Sequence, residues 1–340
     1  MSSYKPVDSP DKTTIFSYHD LTPPTTRDIY KARQTVEQYL PRTPLVRSES
    51  LSAELDANVL IKREDTLPTR SFKIRGFYNL VAELAPEFRE KGLITASMGN
   101  HGQGMATAAR EFDVPATIVV PATLENQTKI SSMKRLGATV IKHGEDFDDA
   151  REHAEQRAAE EGYRYVHGGN EPHLIAGRAS AGLEVMEDCP EVDVVINPVG
   201  GGSSASAYAL TVGKLLGGDV IGVQATGADA VYRAWSEGTI EFQEQADTFA
   251  EGINIRTPFA LPLQIMQDHL TEMMVVEDDD IRAAIRKLLT EDAVLAEGAA
   301  AVSVAAAVQL GDELAGKTVV LPITGSNLAA GKLRDILGDS

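Results

Sequence analysis

The chain has 340 residues, more than one ordinary domain holds, so two compact units, or one large unit with an insertion, are expected. Its 32 basic and 50 acidic residues give a net charge of -18, which argues against nucleic acid as a partner, because neutralising a phosphate backbone takes Lys and Arg. No apolar run is long enough to cross a bilayer, no signal-like stretch opens the chain, and a single cysteine, Cys189, excludes an internal disulfide framework, so a cytoplasmic protein without a membrane partner is expected.

The acidic residues are scattered rather than gathered in a tail. They suit a well-solvated surface, or adaptation to high salt, where screening relieves self-repulsion. Residues 1–25 are polar and carry prolines without periodicity, and a loose arm is expected there. Strand candidates then follow at Val59–Lys62, Leu93–Ala96, Ala116–Val120, Ala138–Lys142, Val194–Asn197, Val220–Gln224 and Val319–Pro322. Between them lie amphipathic helical patterns, such as Phe77, Leu80, Val81 and Leu84, or Ile281, Ala284, Ile285 and Leu288. Strands alternating with helices imply an α/β fold with a largely parallel, doubly wound sheet, whose ligands bind beyond the carboxyl ends of the strands.

One strand runs straight into Gly200, Gly201, Gly202, Ser203 and Ser204, and an Ala/Leu-rich helix follows. Consecutive glycines let backbone N–H groups converge without Cβ obstruction, and a helix N-terminus with hydroxyls beside it favours an anion. The alternative is a tight turn that binds nothing, but three glycines and two serines exceed what a turn needs. The loop lacks the Gly-Lys-Ser/Thr of a nucleotide triphosphate site, and Gly102-Gln103-Gly104 is only an imperfect match to a dinucleotide loop.

A second segment, Thr69-Arg70-Ser71-Phe72-Lys73-Ile74-Arg75-Gly76, lies between a strand and a helix. Lys73 falls in the first helical turn, where the dipole disfavours a cation and lowers the amine pKa, as a Schiff-base lysine requires. A solvated surface lysine is the competing reading of this segment alone.

Together with Ser97-Met98-Gly99-Asn100-His101 and Val199–Ser203, in this order, the Ser71–Gly76 segment resembles the fold-type-II pyridoxal-phosphate enzymes (tryptophan synthase β-like). The match is to their threonine/serine dehydratase (ammonia-lyase) and serine racemase branch, and it covers the chain from about Leu40 onward. The resemblance implies two doubly wound parallel-sheet domains with the cofactor between them. The large cofactor-binding domain would be residues 1–91 and 170–340, and the small mobile substrate-side domain residues 92–169. It implies Lys73 as the Schiff-base lysine that also moves the Cα proton, with Phe72 beside the ring and Asn100 bonded to the ring oxygen. Gly200, Gly201, Gly202 and Ser203 would hold the phosphate of pyridoxal 5'-phosphate. Ser97, Met98, Gly99, Asn100 and His101 would receive the substrate carboxylate, with Ser97 contributing its hydroxyl to the chemistry. Thr324 would stand at the pyridine nitrogen and Glu297 near the ring.

A neutral Thr324 makes the ring a weaker electron sink than an aspartate would, which favours expelling a β leaving group over transamination. The cofactor phosphate would be the acid for the departing hydroxyl. Met98 stands where the racemases carry their second serine, and a thioether cannot carry a proton, so elimination is expected over racemisation. Gln224 and Ala230 stand where some relatives have cation-binding carboxylates, so no metal is expected, although Asp229 lies between them.

The expected reaction is β-elimination from L-threonine or L-serine to a 2-keto acid and ammonia. The alternatives are a 3-hydroxyaspartate ammonia-lyase, which Arg70 would serve by binding a side-chain carboxylate unless it is simply an exposed arginine, and a serine or other amino-acid racemase. A β-replacement synthase and a non-catalytic cofactor-binding module stand further off. The resemblance also implies a homo-oligomer, a dimer or tetramer. His101 is read as positioning its loop, Cys189 as inert, and Trp235 and the methionines as packing.

Overall fold

Ten strands are found among the described residues of the computed structural model, which are 21–124, 127–238, 243 and 245–338. In chain order they are β1 (Leu45–Arg47), β2 (Asn58–Lys62), β3 (Leu93–Ala96), β4 (Ala116–Val120), β5 (Thr139–Lys142), β6 (Arg164–Tyr165), β7 (Val194–Pro198), β8 (Asp219–Ala225), β9 (Glu272–Val276) and β10 (Thr318–Pro322). Contacts group residues 21–39 and Lys73–Gly177 into one compact unit, and Leu40–Phe72 with residues 178–338 into another. These boundaries lie elsewhere than the 91/92 and 169/170 division read from the sequence. Most of the expected N-terminal arm, residues 1–20, lies outside the described residues.

The larger unit is built on a six-stranded sheet in the order β1-β2-β10-β7-β8-β9. Every neighbouring pair is parallel except β1 with β2. The strands are β-branched and almost wholly buried, as a sheet covered on both faces requires. Alternate residues Val59 and Ile61, Val194 and Ile196, Ile221 and Val223, and Val319 and Leu321 share one core with Ala300, Ala301, Val304 and Ala305 of the helix Gly298–Leu310. Small side chains on that helix let it approach the sheet closely. The 281, 284, 285, 288 pattern lies on the helix Asp278–Glu291, and all four residues are buried in the same core. Each large aliphatic so placed contributes roughly 1.5–3 kcal/mol. A buried ion pair also sits in this unit: Lys62 Nζ donates to the Glu184 carboxylate at 2.7 Å and to the Thr43 carbonyl at 2.8 Å.

The smaller unit has a four-stranded parallel sheet in the order β5-β4-β3-β6. The helix Phe147–Glu161 starts at Asp146, whose carboxylate accepts from the Asp148 and Asp149 N–H groups, and stops at left-handed Gly162. Its Ala150, Ala154 and Ala158, spaced by four, pack on Ile94, Ala96 and Val119. Gly104 lets the helix Asn100–Glu111 lie against the helix Lys73–Ala82: a Cβ there would stand 2.9 Å from the Phe77 ring. The imperfect dinucleotide match at Gly102 and Gly104 is therefore a packing device.

Strands β1, β6 and β9 escape the sequence reading. The first is a three-residue edge with Val46 and Arg47 exposed, the second has two residues, and the third opens on Glu-Met-Met, which carries little strand propensity. Leu84 lies beyond the end of the helix Lys73–Ala82.

Candidate active site

In the larger unit, β7 leads through Val199 into the glycine loop, and the helix Ser203–Tyr208 continues as a π-helical stretch over Ala209–Leu216. Asn197, fully buried, locks this corner: its Nδ2 donates to the Pro198 carbonyl at 2.8 Å, and its Oδ1 accepts from the Ser204 hydroxyl at 3.1 Å. All three glycines are required by their surroundings. A Cβ on Gly200 would meet the Gly252 carbonyl oxygen at 2.4 Å, on Gly201 the Phe259 ring at 2.4 Å, and on Gly202 the Met266 methyl at 2.7 Å. Gly202 also has a φ of +80°, open to glycine at little cost. Protein thus fills the space where side chains on these three residues would stand, and the loop leads directly into the start of a helix.

Strand β10 pairs with β7 in parallel register, Val319 with Val194 and Val320 with Val195, so the loops that follow leave the sheet side by side. Thr324, 5% exposed, sits just past the end of β10. The segment before Lys73 is tied to it: the Phe72 N–H donates to the Thr324 carbonyl at 3.0 Å, Ser71 bridges Gly325, and the Ser326 N–H donates to the Arg70 carbonyl at 3.1 Å. The Asn327 amide donates to the Thr69 carbonyl at 2.9 Å. The Glu297 N–H donates to the Gly325 carbonyl at 3.0 Å, and a Cβ on Gly325 would stand 2.6 Å from the Glu297 carboxylate. Buried Arg178 stacks its guanidinium on the Phe72 ring at 5.4 Å. Arg70 is exposed with a φ of +53°, a conformation that favours glycine.

In the smaller unit, Lys73 is the first residue of its helix, and the first turn holds no acidic side chain. The Ser97 oxygen accepts from the Gly99 N–H at 3.2 Å and the Gly102 N–H at 2.8 Å, so it caps the helix that begins at Asn100. Its own proton remains to be donated elsewhere. Gly99 is extended, with open space where a Cβ would be. Met98 is 40% exposed, unlike the packing methionines expected, because it rides on this loop. His101 is buried edge-on to Phe77, and its Nε2 lies 3.1 Å from the Thr95 hydroxyl. That hydroxyl gives its proton to the Val166 carbonyl at 2.7 Å, so in the contact with Thr95 it is Nε2 that donates.

Several groups outside these loops carry no motif in the sequence. His167 accepts from the Gly169 and Asn170 N–H groups through Nδ1, and burial, reinforced by Arg151, pushes it down to about 4. Burial pushes the Glu155 carboxyl up to about 7, against the pull of Arg151. His143 and His153 stack at 3.8 Å. Burial and the nearby Glu191 carboxylate push the Cys189 thiol up to about 11, which keeps it protonated and unreactive. Trp235 packs and donates to the Met266 carbonyl at 3.2 Å. Gln224 accepts from the Val231 and Tyr232 N–H groups through its side-chain oxygen, and Asp229 pairs with Arg233 at 2.8 Å.

A parallel α/β sheet that ends in a three-glycine cradle, with a lysine segment laced to the next strand's end, defines a fold-type-II cofactor enzyme. A family model described as pyridoxal-phosphate dependent enzyme matches residues 36–325, and the chain belongs to that family, with pyridoxal phosphate as its cofactor. The chain is 40% identical over 306 residues to the L-threonine ammonia-lyase of Thermotoga maritima, a match spanning 89% of this chain and 76% of that one. It is similar to the processed form of threonine deaminase isoform 2 from Solanum lycopersicum, with a TM-score of 0.87, 30% identity and coverage of 93% and 90% of the two chains. Maize serine racemase superposes with a TM-score of 0.87 at 26% identity, covering 94% and 98%. Among the described residues no helix is long and apolar enough to cross a membrane.

Proposed function

We propose that this protein removes the β-hydroxyl and the amino group of L-threonine or L-serine, giving a 2-keto acid and ammonia. The observation that carries the reading is Thr324, a buried neutral hydroxyl residue at a central strand end, whose carbonyl receives the Phe72 N–H. Its side chain cannot hold a proton on a pyridine nitrogen as a carboxylate would, and that setting favours elimination.

The loop suits the cofactor's phosphate, because protein atoms leave no room for a Cβ on any of the three glycines, and backbone N–H groups at a helix start favour an anion. Gly200, Gly201, Gly202 and Ser203 bind that phosphate; the Ser204 hydroxyl is committed to Asn197. Phe72 and Glu297 would flank the ring, Asn100 would bond to its oxygen, and Lys73 would hold the cofactor. When bound, pyridoxal phosphate supplies the electron sink that makes loss of the Cα proton and of the β-hydroxyl feasible. Lys73 moves that proton at Nζ. Ser97 to His101 hold the substrate carboxylate, with the Ser97 proton and loop N–H groups as donors. Met98 offers no acid or base for the opposite face of Cα, which supports elimination over racemisation. Once released, the enamine tautomerises and water displaces ammonia.

Residues 92–169 form the mobile substrate-side domain in this reading, and the protein works in the cytoplasm as a homo-oligomer without a metal. The test is incubation of purified protein with L-threonine, L-serine and L-3-hydroxyaspartate, with keto acid and ammonia measured together. Equal amounts of both from threonine or serine are expected. Accumulation of the D-amino acid without ammonia, or turnover limited to forming cysteine and acetate from sulfide and O-acetylserine, would contradict the reading.

A further inference from the structure

The stretch Thr248–Ile253 has no role in the chemistry above, yet it abuts two parts of the site in the larger unit. On one side the Gly252 carbonyl oxygen closes off the Cβ position of Gly200 at 2.4 Å. On the other, the Cβ position of Gly252 lies 2.8 Å from the Ala299 methyl and 3.9 Å from the Glu297 carboxylate. The Cβ position of Gly298, next to Glu297, lies 3.0 Å from Ala250 and 3.1 Å from the Phe249 ring. Packing that leaves no room for a Cβ at Gly200, Gly252 or Gly298 transmits a displacement of the stretch to both the glycine loop and Glu297.

Within itself the stretch has only local turns, the Glu251 N–H to the Phe249 carbonyl at 3.0 Å and the Ile253 N–H to the Ala250 carbonyl at 2.9 Å. It is held from outside. Both oxygens of Asp278, the first residue of its helix, accept from it: Oδ1 from the Thr248 hydroxyl at 2.5 Å and Oδ2 from the Phe249 N–H at 3.1 Å. Lys332 donates to the Phe249 carbonyl at 3.1 Å and to Glu251 at 2.8 Å, and Arg282 stacks on the Phe249 ring at 4.5 Å.

We infer that Asp278 is a positioning residue for the cofactor, acting through Thr248–Ile253 on the Gly200 cradle and on Glu297. The inference rests on reading Gly200–Ser203 as the phosphate cup. Lys332 holds the same stretch from its other side and acts in the same sense, more weakly because it meets one backbone carbonyl and an exposed carboxylate.

The test titrates apoprotein with pyridoxal phosphate, following the visible absorbance and the phosphorus resonance of the bound cofactor, in wild type and in Asp278→Ala, Asp278→Asn, Lys332→Met and Asp280→Asn. Asp278→Ala is expected to weaken cofactor binding about tenfold or more, the scale of a lost charge-assisted hydrogen bond, and to shift the phosphorus resonance. Asp278→Asn keeps one acceptor oxygen and recovers part of the affinity, and Asp280→Asn, on the exposed side of the same turn, matches wild type. Lys332→Met loses a smaller factor and serves if Asp278→Ala does not fold. A purely structural role would lower the apoprotein's melting temperature and leave affinity and resonance unchanged; that result overturns the inference. If wild-type apoprotein binds cofactor with no phosphorus signature of an enclosed dianion, the phosphate-cup reading fails first and takes the inference with it.

Discussion

The Phe72 N–H donates to the Thr324 carbonyl at 3.0 Å, so the backbone that presents Lys73 is tied to the strand end proposed to face the cofactor's ring nitrogen. This link uses backbone atoms only, and it survives replacement of either side chain. Thr324→Ala should therefore keep the fold and take up cofactor while slowing elimination by about tenfold, the scale of one lost hydrogen bond. Steady-state turnover beside the cofactor's visible absorbance checks this. A variant as fast as wild type would place the Thr324 hydroxyl outside the chemistry.

Gly201→Ala should destabilise the protein by about 1–3 kcal/mol, because the new methyl overlaps the Phe259 ring at 2.4 Å, and should also loosen the cofactor. Gly331→Ala has the opposite sign: that glycine lies in a helix with open space around its Cβ position, and alanine there should stabilise by about 0.5–1 kcal/mol. Denaturant midpoints of the two variants separate a steric demand from a merely conformational one.

Two groups of the smaller unit give opposing pH dependences. Glu155, raised to about 7 from 4.5, keeps in the folded state a proton that the unfolded chain releases, so its contribution is full below 4.5 and lost as pH rises towards 7. His167, lowered to about 4 from 6.5, contributes above 6.5 and loses that contribution as pH falls to about 4. Between 4.5 and 6.5 the two trends offset one another. Glu155→Gln should therefore make the melting temperature climb with pH across that window more steeply than in wild type. Parallel profiles would mean that Glu155 titrates normally.

A net charge of -18 leaves the folded chain repelling itself at low ionic strength. If the acidic surface is an adaptation to salt, the melting temperature should rise through molar potassium chloride, where the Debye length falls to about 3 Å. A flat profile would leave ordinary solvation as the explanation.

Two local features of the candidate site were legible in the sequence, the glycine turn and the helix start at Lys73, because their demands are local. A run of three glycines between a buried strand and a helix can be read without knowing what packs behind it, and Lys73 opens a helix as its neighbours require. What the sequence hides is the partner at long range. Nothing near Gly200 announces that Gly252 seals it, or that Asp278 and Lys332 hold the stretch that does so. Lys62 finds Glu184 across 122 residues, and the pair is meaningful only once folded. Asn197 reads as one more polar residue at a strand end until its amide is seen joining Pro198 to Ser204. Arg70, read only for what its side chain could bind, adopts the left-handed backbone that glycine would favour, and the residue is exposed.

The central claim is that Lys73 carries the cofactor. Borohydride reduction of the purified protein, followed by proteolysis and mass spectrometry, reads this directly. The reduced pyridoxyl adduct is expected on the peptide containing Lys73, and Lys73→Ala should lack it together with the visible absorbance of the wild type. An adduct on a different lysine, or none in a protein that still converts threonine to keto acid, would contradict the account.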